Sequence, residues 1–154
     1  METELLKNEI LKLDPAITIR DKVDRLCVNV PLANFRSVMI TLKEKSEFQF
    51  DFLMSHTSVD WIAENKFELL YLLFSTEHMH QVMVSITVDR ANPVAPTVSD
   101  IWRAAEFQER ECYDFMGILY DNHPDLRRVF LEDDWVGFPL RKDYKDDFML
   151  EIPE

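Results

Sequence analysis

Glycine is nearly missing from this chain: 154 residues contain only Gly117 and Gly137. Neither lies in a glycine-rich turn between a strand and a helix. Phosphate cradles of the Rossmann and P-loop types are therefore excluded, and with them recognition of NADH or a nucleotide by such a loop. Cysteine is equally scarce, with Cys27 and Cys112 far apart and outside any Cys-x-x-Cys spacing. An iron–sulfur cluster normally takes four thiolates, so no cofactor of that kind is expected in this chain. Two isolated thiols read as small core or interface residues rather than a disulfide. No uninterrupted apolar run approaches the roughly 20 residues of a membrane helix. Met1 to Leu13 is acidic and amphipathic, without the basic start and long apolar core of a secretory signal, so the expectation is a soluble, cytosolic domain that meets a membrane only through partners. Basic residues are outnumbered, 17 against 29 acidic ones, and a formal charge of −12 repels phosphate backbones, which argues against nucleic acid as a partner.

Apolar residues make up 47% of the chain, enough for one compact domain burying roughly 70% of its unfolded surface. Leu5, Leu6, Ile10 and Leu13 mark an N-terminal helix, and Arg25 to Val30 alternates as a strand. After Pro31, Leu32, Phe35, Met39 and Leu42 give one buried helical stripe through about Lys45. Strands are expected at Phe48 to Ser55, Phe67 to Ser75 and Gln81 to Asp89, the last two joined by a hairpin over Thr76 to His80. Pro93 and Pro96 make Ala91 to Pro96 a linker. A long helix is then expected from Ser99, as N-cap with Asp100 in its first turn, to Met116, with Gly117 as left-handed stop. This order predicts an α+β fold: a two-layer domain with a mostly antiparallel sheet of about four strands, helices on one face, and an extended C-terminal tail. The core is expected over 1–117 and the tail over 118–154, as parts of one domain. A tail with so little regular structure is usually functional or ordered by a partner.

Charge and turn residues concentrate between Glu109 and Tyr144. On the long helix Ile101, Ala105, Cys112 and Phe115 fall near one face, and Glu106 and Arg110 are four apart. Glu109, Glu111 and Asp114 invite an acid/base reading, but no nucleophile or oxyanion donor accompanies them, and an ion-pair network with Arg127, Arg128 or Arg141 is the better expectation. Arg127, Arg128, Arg141 and Lys142 share the tail with Glu132, Asp133 and Asp134, which leaves internal ion pairs and partner contacts both open. His123, after Asp121, could pose as a base held by a carboxylate, yet reads better as a turn residue bonding local backbone. His78 and His80 lack a third metal ligand and read as a polar hairpin surface. Trp61, Trp102 and Trp135 read as core or interface anchors, Trp135 being the one expected to face another protein.

Glu109-Arg110-Glu111, Asp114, Gly117, His123-Pro124-Asp125-Leu126-Arg127-Arg128 and Gly137-Phe138-Pro139-Leu140-Arg141-Lys142-Asp143-Tyr144 together resemble the 30 kDa-type (C) subunit of the proton-pumping NADH:quinone oxidoreductase, respiratory complex I. The likeness extends upstream through Phe50-Asp51-Phe52, Val59-Asp60-Trp61, Phe67 to Ser75 and Thr97 to Trp102. It implies a cofactor-free structural subunit of the peripheral arm, on the cytoplasmic face of the cell membrane, supporting the quinone-reducing module. Its partners would be the hydrogenase-large-subunit-like subunit and the subunit bearing the terminal iron–sulfur cluster, with FMN, clusters and quinone held by partner subunits. On that resemblance the interface would be built from Glu109, Arg110, Glu111, Asp114, His123, Asp125, Arg127, Arg128, Trp135, Arg141, Lys142 and Tyr144. Similar subunits serve membrane-bound energy-converting hydrogenases and the coenzyme-F420 dehydrogenase, which stand as the alternative. A free-standing enzyme using Glu109, Asp114 and His123 is the more distant one.

Overall fold

A computed structural model describes residues 3–21 and 23–150. The ends of the expected first helix and of the tail, at 1–2 and 151–154, lie outside the described residues. In chain order come α1 (Thr3–Leu11), β1 (Thr18–Ile19), β2 (Cys27–Asn29), α2 (Phe35–Glu44), β3 (Phe52–Trp61), β4 (Lys66–Ser75), β5 (His80–Asp89), β6 (Val94–Pro96), α3 (Ala105–Met116) and β7 (Leu119–Asp121). The main sheet has five strands in the order β1-β2-β5-β4-β3, all antiparallel neighbours except the parallel pair β2 and β5.

The α+β two-layer expectation holds. Strand β4 turns Phe67, Leu69, Tyr71 and Leu73 to one face, and β5 adds Val82, Val84, Ile86 and Val88. Against them pack Leu6 and Ile10 of α1, Phe35, Val38, Met39 and Leu42 of α2, and Ala105, Cys112 and Met116 of α3. The opposite face of the sheet is not covered by any of these helices: Leu70, Leu72, Phe74 and Met83 belong neither to this core nor to the residues packed against it.

Several expectations are corrected. The fifth strand, β1, is only two residues long and too short to carry a periodic signal. β3 begins at Phe52 and runs on to Trp61, closed by a tight turn in which Asn65 takes a left-handed conformation. Leu5 and Leu32 point outward, so each stripe starts later than expected. The proline-containing linker holds a short strand after all. β6 pairs in parallel with β7, and Pro96 sits at its last position, where no ladder donor is needed. Helix α3 starts at Ala105 rather than Ser99. A separate turn precedes it, closed by the Trp102 N–H on the Val98 carbonyl at 2.9 Å, and Trp102 itself is buried with Nε1 donating to the Phe50 carbonyl. His80 is buried too, donating from Nε2 to Phe48 O (2.9 Å), while His78 donates to Ser46 O (2.8 Å). Both rings hold the loop before β3 rather than forming a polar hairpin surface.

Candidate functional site

Gly117 ends α3 with φ 72°, and its N–H returns to the Tyr113 carbonyl at 2.8 Å. A Cβ there would stand 2.5 Å from Phe138 and 2.7 Å from Arg141, so glycine is required by both backbone and space. That close approach lets the tail fold back across the C-terminal end of the helix.

Asp114 is the centre of the resulting clasp. It is fully buried, and one carboxylate oxygen, Oδ2, accepts three successive backbone N–H groups, from Val129 (3.1 Å), Phe130 (2.7 Å) and Leu131 (3.0 Å). Oδ1 accepts from Arg128 Nη1 at 2.9 Å. Burial alone would raise the Asp114 carboxyl, but the Leu131, Phe130 and Val129 amides and the Arg128 guanidinium outweigh it and hold it below the usual carboxylate range. Arg128 also donates to the carbonyls of Asp114 (2.8 Å), Trp135 (3.1 Å) and Gly137 (2.9 Å), and its plane lies over Phe138. One guanidinium thus joins helix, turn and tail, which its forked donor set permits and a lysine could not match.

Two further arginines extend the clasp. Arg110, buried on α3, donates to the carbonyls of Arg127 (3.1 Å) and Arg128 (3.2 Å). Arg141 donates to the Met116 carbonyl (2.7 Å), one of the groups left open at the helix end, and stacks between Phe67 and Phe138. Farther along, buried Asp60 of β3 accepts from Arg90 Nε (2.8 Å), Arg90 Nη2 (3.1 Å) and the Lys142 N–H (2.9 Å), while Arg90 reaches Asp143 at 2.6 Å. Sequence reasoning does not reach this pairing of Asp60 with Arg90. Its signal is a carboxylate at a core-facing strand position and an arginine just past the end of another strand.

The motif residues therefore separate into distinct groups. Asp114, Arg110, Arg128 and Arg141 are occupied within the chain. Glu109 does not join an arginine network: it is fully buried, accepting the Val98 N–H at 2.8 Å and the Thr97 hydroxyl, and burial raises its carboxyl above the usual range. Arg110, four residues on from Glu106, turns to the tail carbonyls and, at 3.9 Å, to Asp125. His123 donates from Nε2 to Glu106 O (2.9 Å) and accepts at Nδ1 from the Asp125 N–H (3.0 Å), with Glu109 3.8 Å away. It pins the turn between β7 and the tail to the helix. Glu111, Arg127, Trp135 and Lys142 are exposed, and Asp125 and Tyr144 are half-buried. Among the described residues Arg127 pairs with Asp125 (2.9 Å) alone, and Tyr144 donates to Asp146 (3.1 Å).

Behind α3 lies a buried polar group that also escapes sequence reasoning. His56 donates from Nδ1 to Leu70 O (3.0 Å), accepts the Tyr120 hydroxyl at Nε2 (2.6 Å), and stacks on Tyr71 at 4.0 Å. Burial lowers its pKa to about 4, so it is neutral near pH 7. Among the described residues no three His, Cys, Asp or Glu side chains gather as a metal site, and no helix is long and apolar enough to cross a membrane.

A small two-layer protein whose motif residues strap its own tail is the class that this fold and clasp define. Residues 28–147 match the family described as respiratory-chain NADH dehydrogenase, 30 Kd subunit, and the chain belongs to that family. It is 39% identical over 137 residues to the C subunit of the NADH-quinone oxidoreductase of Moorella thermoacetica, covering 89% of this chain and 91% of that protein. It is 44% identical over 120 residues to the C/D subunit of the NADH-quinone oxidoreductase of Phocaeicola vulgatus, covering 77% of this chain but only 22% of that longer protein. Among solved structures, the trypsin-resistant fragment (1-134) of Nqo5 superposes with a TM-score of 0.70 at 29% identity, over 82% of this chain and all of that fragment. A chain of the membrane-bound sulfane sulfur reductase, an archaeal respiratory membrane complex, superposes with a TM-score of 0.81 at 29% identity, over 94% of this chain and 86% of that one.

Proposed function

We propose that this chain is a structural subunit of a proton-translocating NADH:quinone oxidoreductase, held in its peripheral arm at the cytoplasmic face of the cell membrane. The clasp carries the reading. Asp114, Arg110, Arg128 and Arg141 are engaged by the tail and Glu109 is held by Thr97 and Val98, and what the first four produce is an ordered strap. That strap presents Phe130, Val136 and Leu140 to solvent beside Trp135, an apolar set that needs a partner. Electrons, on this reading, pass through neighbouring subunits that hold the FMN, the iron–sulfur clusters and the quinone, and this chain holds no cofactor of its own. The Phocaeicola vulgatus C/D protein, in which a counterpart of this chain makes up 22% of a longer polypeptide, supports a D-type partner subunit; that this partner is the hydrogenase-large-subunit-like subunit, with the terminal iron–sulfur subunit nearby, is part of the proposal.

The test is affinity purification through a tagged copy from detergent-solubilised native membranes, with subunits identified by mass spectrometry. Co-purification of those two partner subunits is expected, together with release of the tagged chain from membranes by chaotrope or high pH. Recovery of the chain alone from the soluble fraction, while the rest of such a complex stays on membranes, would overturn the proposal. A second reading, the equivalent subunit of another membrane-bound energy-converting complex, draws on the likeness to the sulfane sulfur reductase chain. The co-purifying electron-input subunits separate the two.

A further inference from the structure

Strand β4 reads Lys-Phe-Glu-Leu-Leu-Tyr-Leu-Leu-Phe-Ser, an almost continuous apolar run, which is the composition of a strand covered on both faces. Yet only the face bearing Phe67, Leu69, Tyr71 and Leu73 is covered by this chain's helices. The other face splits into two halves. Toward Trp61 it is polar and internally satisfied. Glu68 pairs with Arg20 and accepts from Ser85 Oγ (2.6 Å) and Trp61 Nε1 (2.9 Å), beside an open cleft of about 500 Å³. Toward the opposite end it is apolar. Leu72 lies between Ser55 and Met83, and Phe74 between Phe52 and Gln81, with Met54 unpaired at the irregularity between Leu53 and Ser55. Phe52 is 52% and Met54 44% exposed.

We infer that this apolar half, centred on Leu72, Phe74, Phe52, Met54 and Met83, is a second docking surface, separate from the strap, and that its occupant is a partner protein presenting an apolar patch rimmed by lysine or arginine. The inference rests on the proposed reading of the chain as a subunit of a larger complex. Charge selects the occupant. None of the five residues carries a charge, while by chain position Asp51 and Glu77 flank the end where β3 begins and β4 finishes, Asp51 accepting from the Thr76 N–H (2.8 Å) with Lys43 beside it, and the chain as a whole stands at −12. A second copy would bring −12 against −12, and an anionic lipid surface would be repelled in the same way. A cationic rim around an apolar centre meets the acidic flank and covers what the half-buried Leu72, Phe74 and Met83 and the exposed Phe52 and Met54 leave open. In the C/D relative a counterpart of this chain is continuous with a far longer polypeptide, and such a tether raises the effective concentration of the two parts.

Methionine oxidation tests this without any substitution. The isolated chain and the affinity-purified complex are treated with hydrogen peroxide, and sulfoxide formation at Met54 and Met83 is followed by peptide mass spectrometry. At least tenfold slower oxidation at Met54 in the complex is expected, and equal rates would overturn the inference. A photo-reactive p-benzoylphenylalanine at Leu72, in the complex, identifies the occupant. A cross-link to a basic, apolar segment of another subunit is the expected product. A product joining two copies of this chain, or joining the chain to lipid, would overturn it. The same probe at Trp135 distinguishes the two proposals. A cross-link there with none at Leu72 removes the second surface and leaves the subunit reading intact, whereas failure to co-purify with any membrane complex removes both.

Discussion

Arg127 and Arg128 are adjacent in sequence and opposite in consequence, and replacing each by alanine tests the clasp. The Arg128 side chain is 11% exposed and faces a carboxylate with no exposure at all, whereas Arg127 is 69% exposed and its partner Asp125 is 44% exposed. Arg128→Ala leaves Asp114 a buried carboxylate without its cation and strips a donor from three carbonyls. Breaking a buried pair from one side costs about 3–5 kcal/mol. Arg127→Ala removes an exposed pair worth less than about 1 kcal/mol. The fitting measurement is amide exchange at Val129, Phe130 and Leu131, whose N–H groups all donate to Asp114, because it reads local opening of the strap separately from unfolding of the sheet. At about 1.4 kcal/mol per factor of ten, Arg128→Ala should speed their exchange by roughly two to four orders of magnitude, up to the limit set by the strap's own opening. Arg127→Ala should change it by less than about fivefold. Lysine at 128 should recover little, because an ammonium cannot serve the helix, the turn and the tail together. In cells, the Arg128 variant should lower the amount of assembled complex more than the turnover of what is assembled. Equal exchange in the two alanine variants would refute the division between an internal and an external arginine.

Gly117→Ala should cost more than about 2 kcal/mol in urea denaturation of the isolated chain, since it combines a left-handed backbone with a Cβ inside contact distance of Phe138; an unchanged midpoint would mean that the tail does not pack there. Asp60→Ala should leave Arg90 with Asp143 alone and free the Lys142 N–H, raising exchange near 142–144 by at least about a hundredfold, as expected when a buried pair loses one member. His56 has a native pKa of about 4 against an ordinary 6.5, so its contribution to stability is present above pH 6.5 and is lost as the pH falls toward 4, because the unfolded chain takes up a proton that the native state refuses. Between pH 6.5 and 5 this amounts to about 2 kcal/mol. Glu109, raised by burial, works in the opposite sense; the difference between the parent chain and His56→Gln, measured by urea denaturation across that range, isolates the histidine, and parallel curves would refute its buried neutral state.

Much of the fold is legible in the residues because its longest elements carry strong periodicity. The stripe Phe35, Met39 and Leu42, the paired strands β4 and β5, and the left-handed stop at Gly117 are all visible there. What escapes depends on contacts across the chain. Ser99 has the chemistry of an N-cap, but Thr97 and Val98 are held by Glu109 from the next helix, and the backbone turns once at Val98 before α3 begins. Strands β6 and β7 are three residues each and exist only because they pair with one another. The site follows the same rule. The charged residues of the tail are recognisable as a set, yet composition cannot assign Glu109 to a hydroxyl and an amide, or Asp114 to three backbone N–H groups. It cannot divide Arg127 from Arg128 either, because burial separates them and sequence does not.

Asp114 grips the strap by its peptide groups, and peptide groups are the same whatever residue carries them. The hydrogen-bonded attachment at positions 129 to 131 is therefore indifferent to side chains, with proline as the evident exception, and only Phe130, whose ring stacks on Phe115 at 5.5 Å, adds a side-chain hold of its own. Val129 and Leu131 can be exchanged during divergence to suit a changing neighbour while the strap keeps its path, so a single carboxylate gives the molecule a contact segment that evolves largely apart from its mooring.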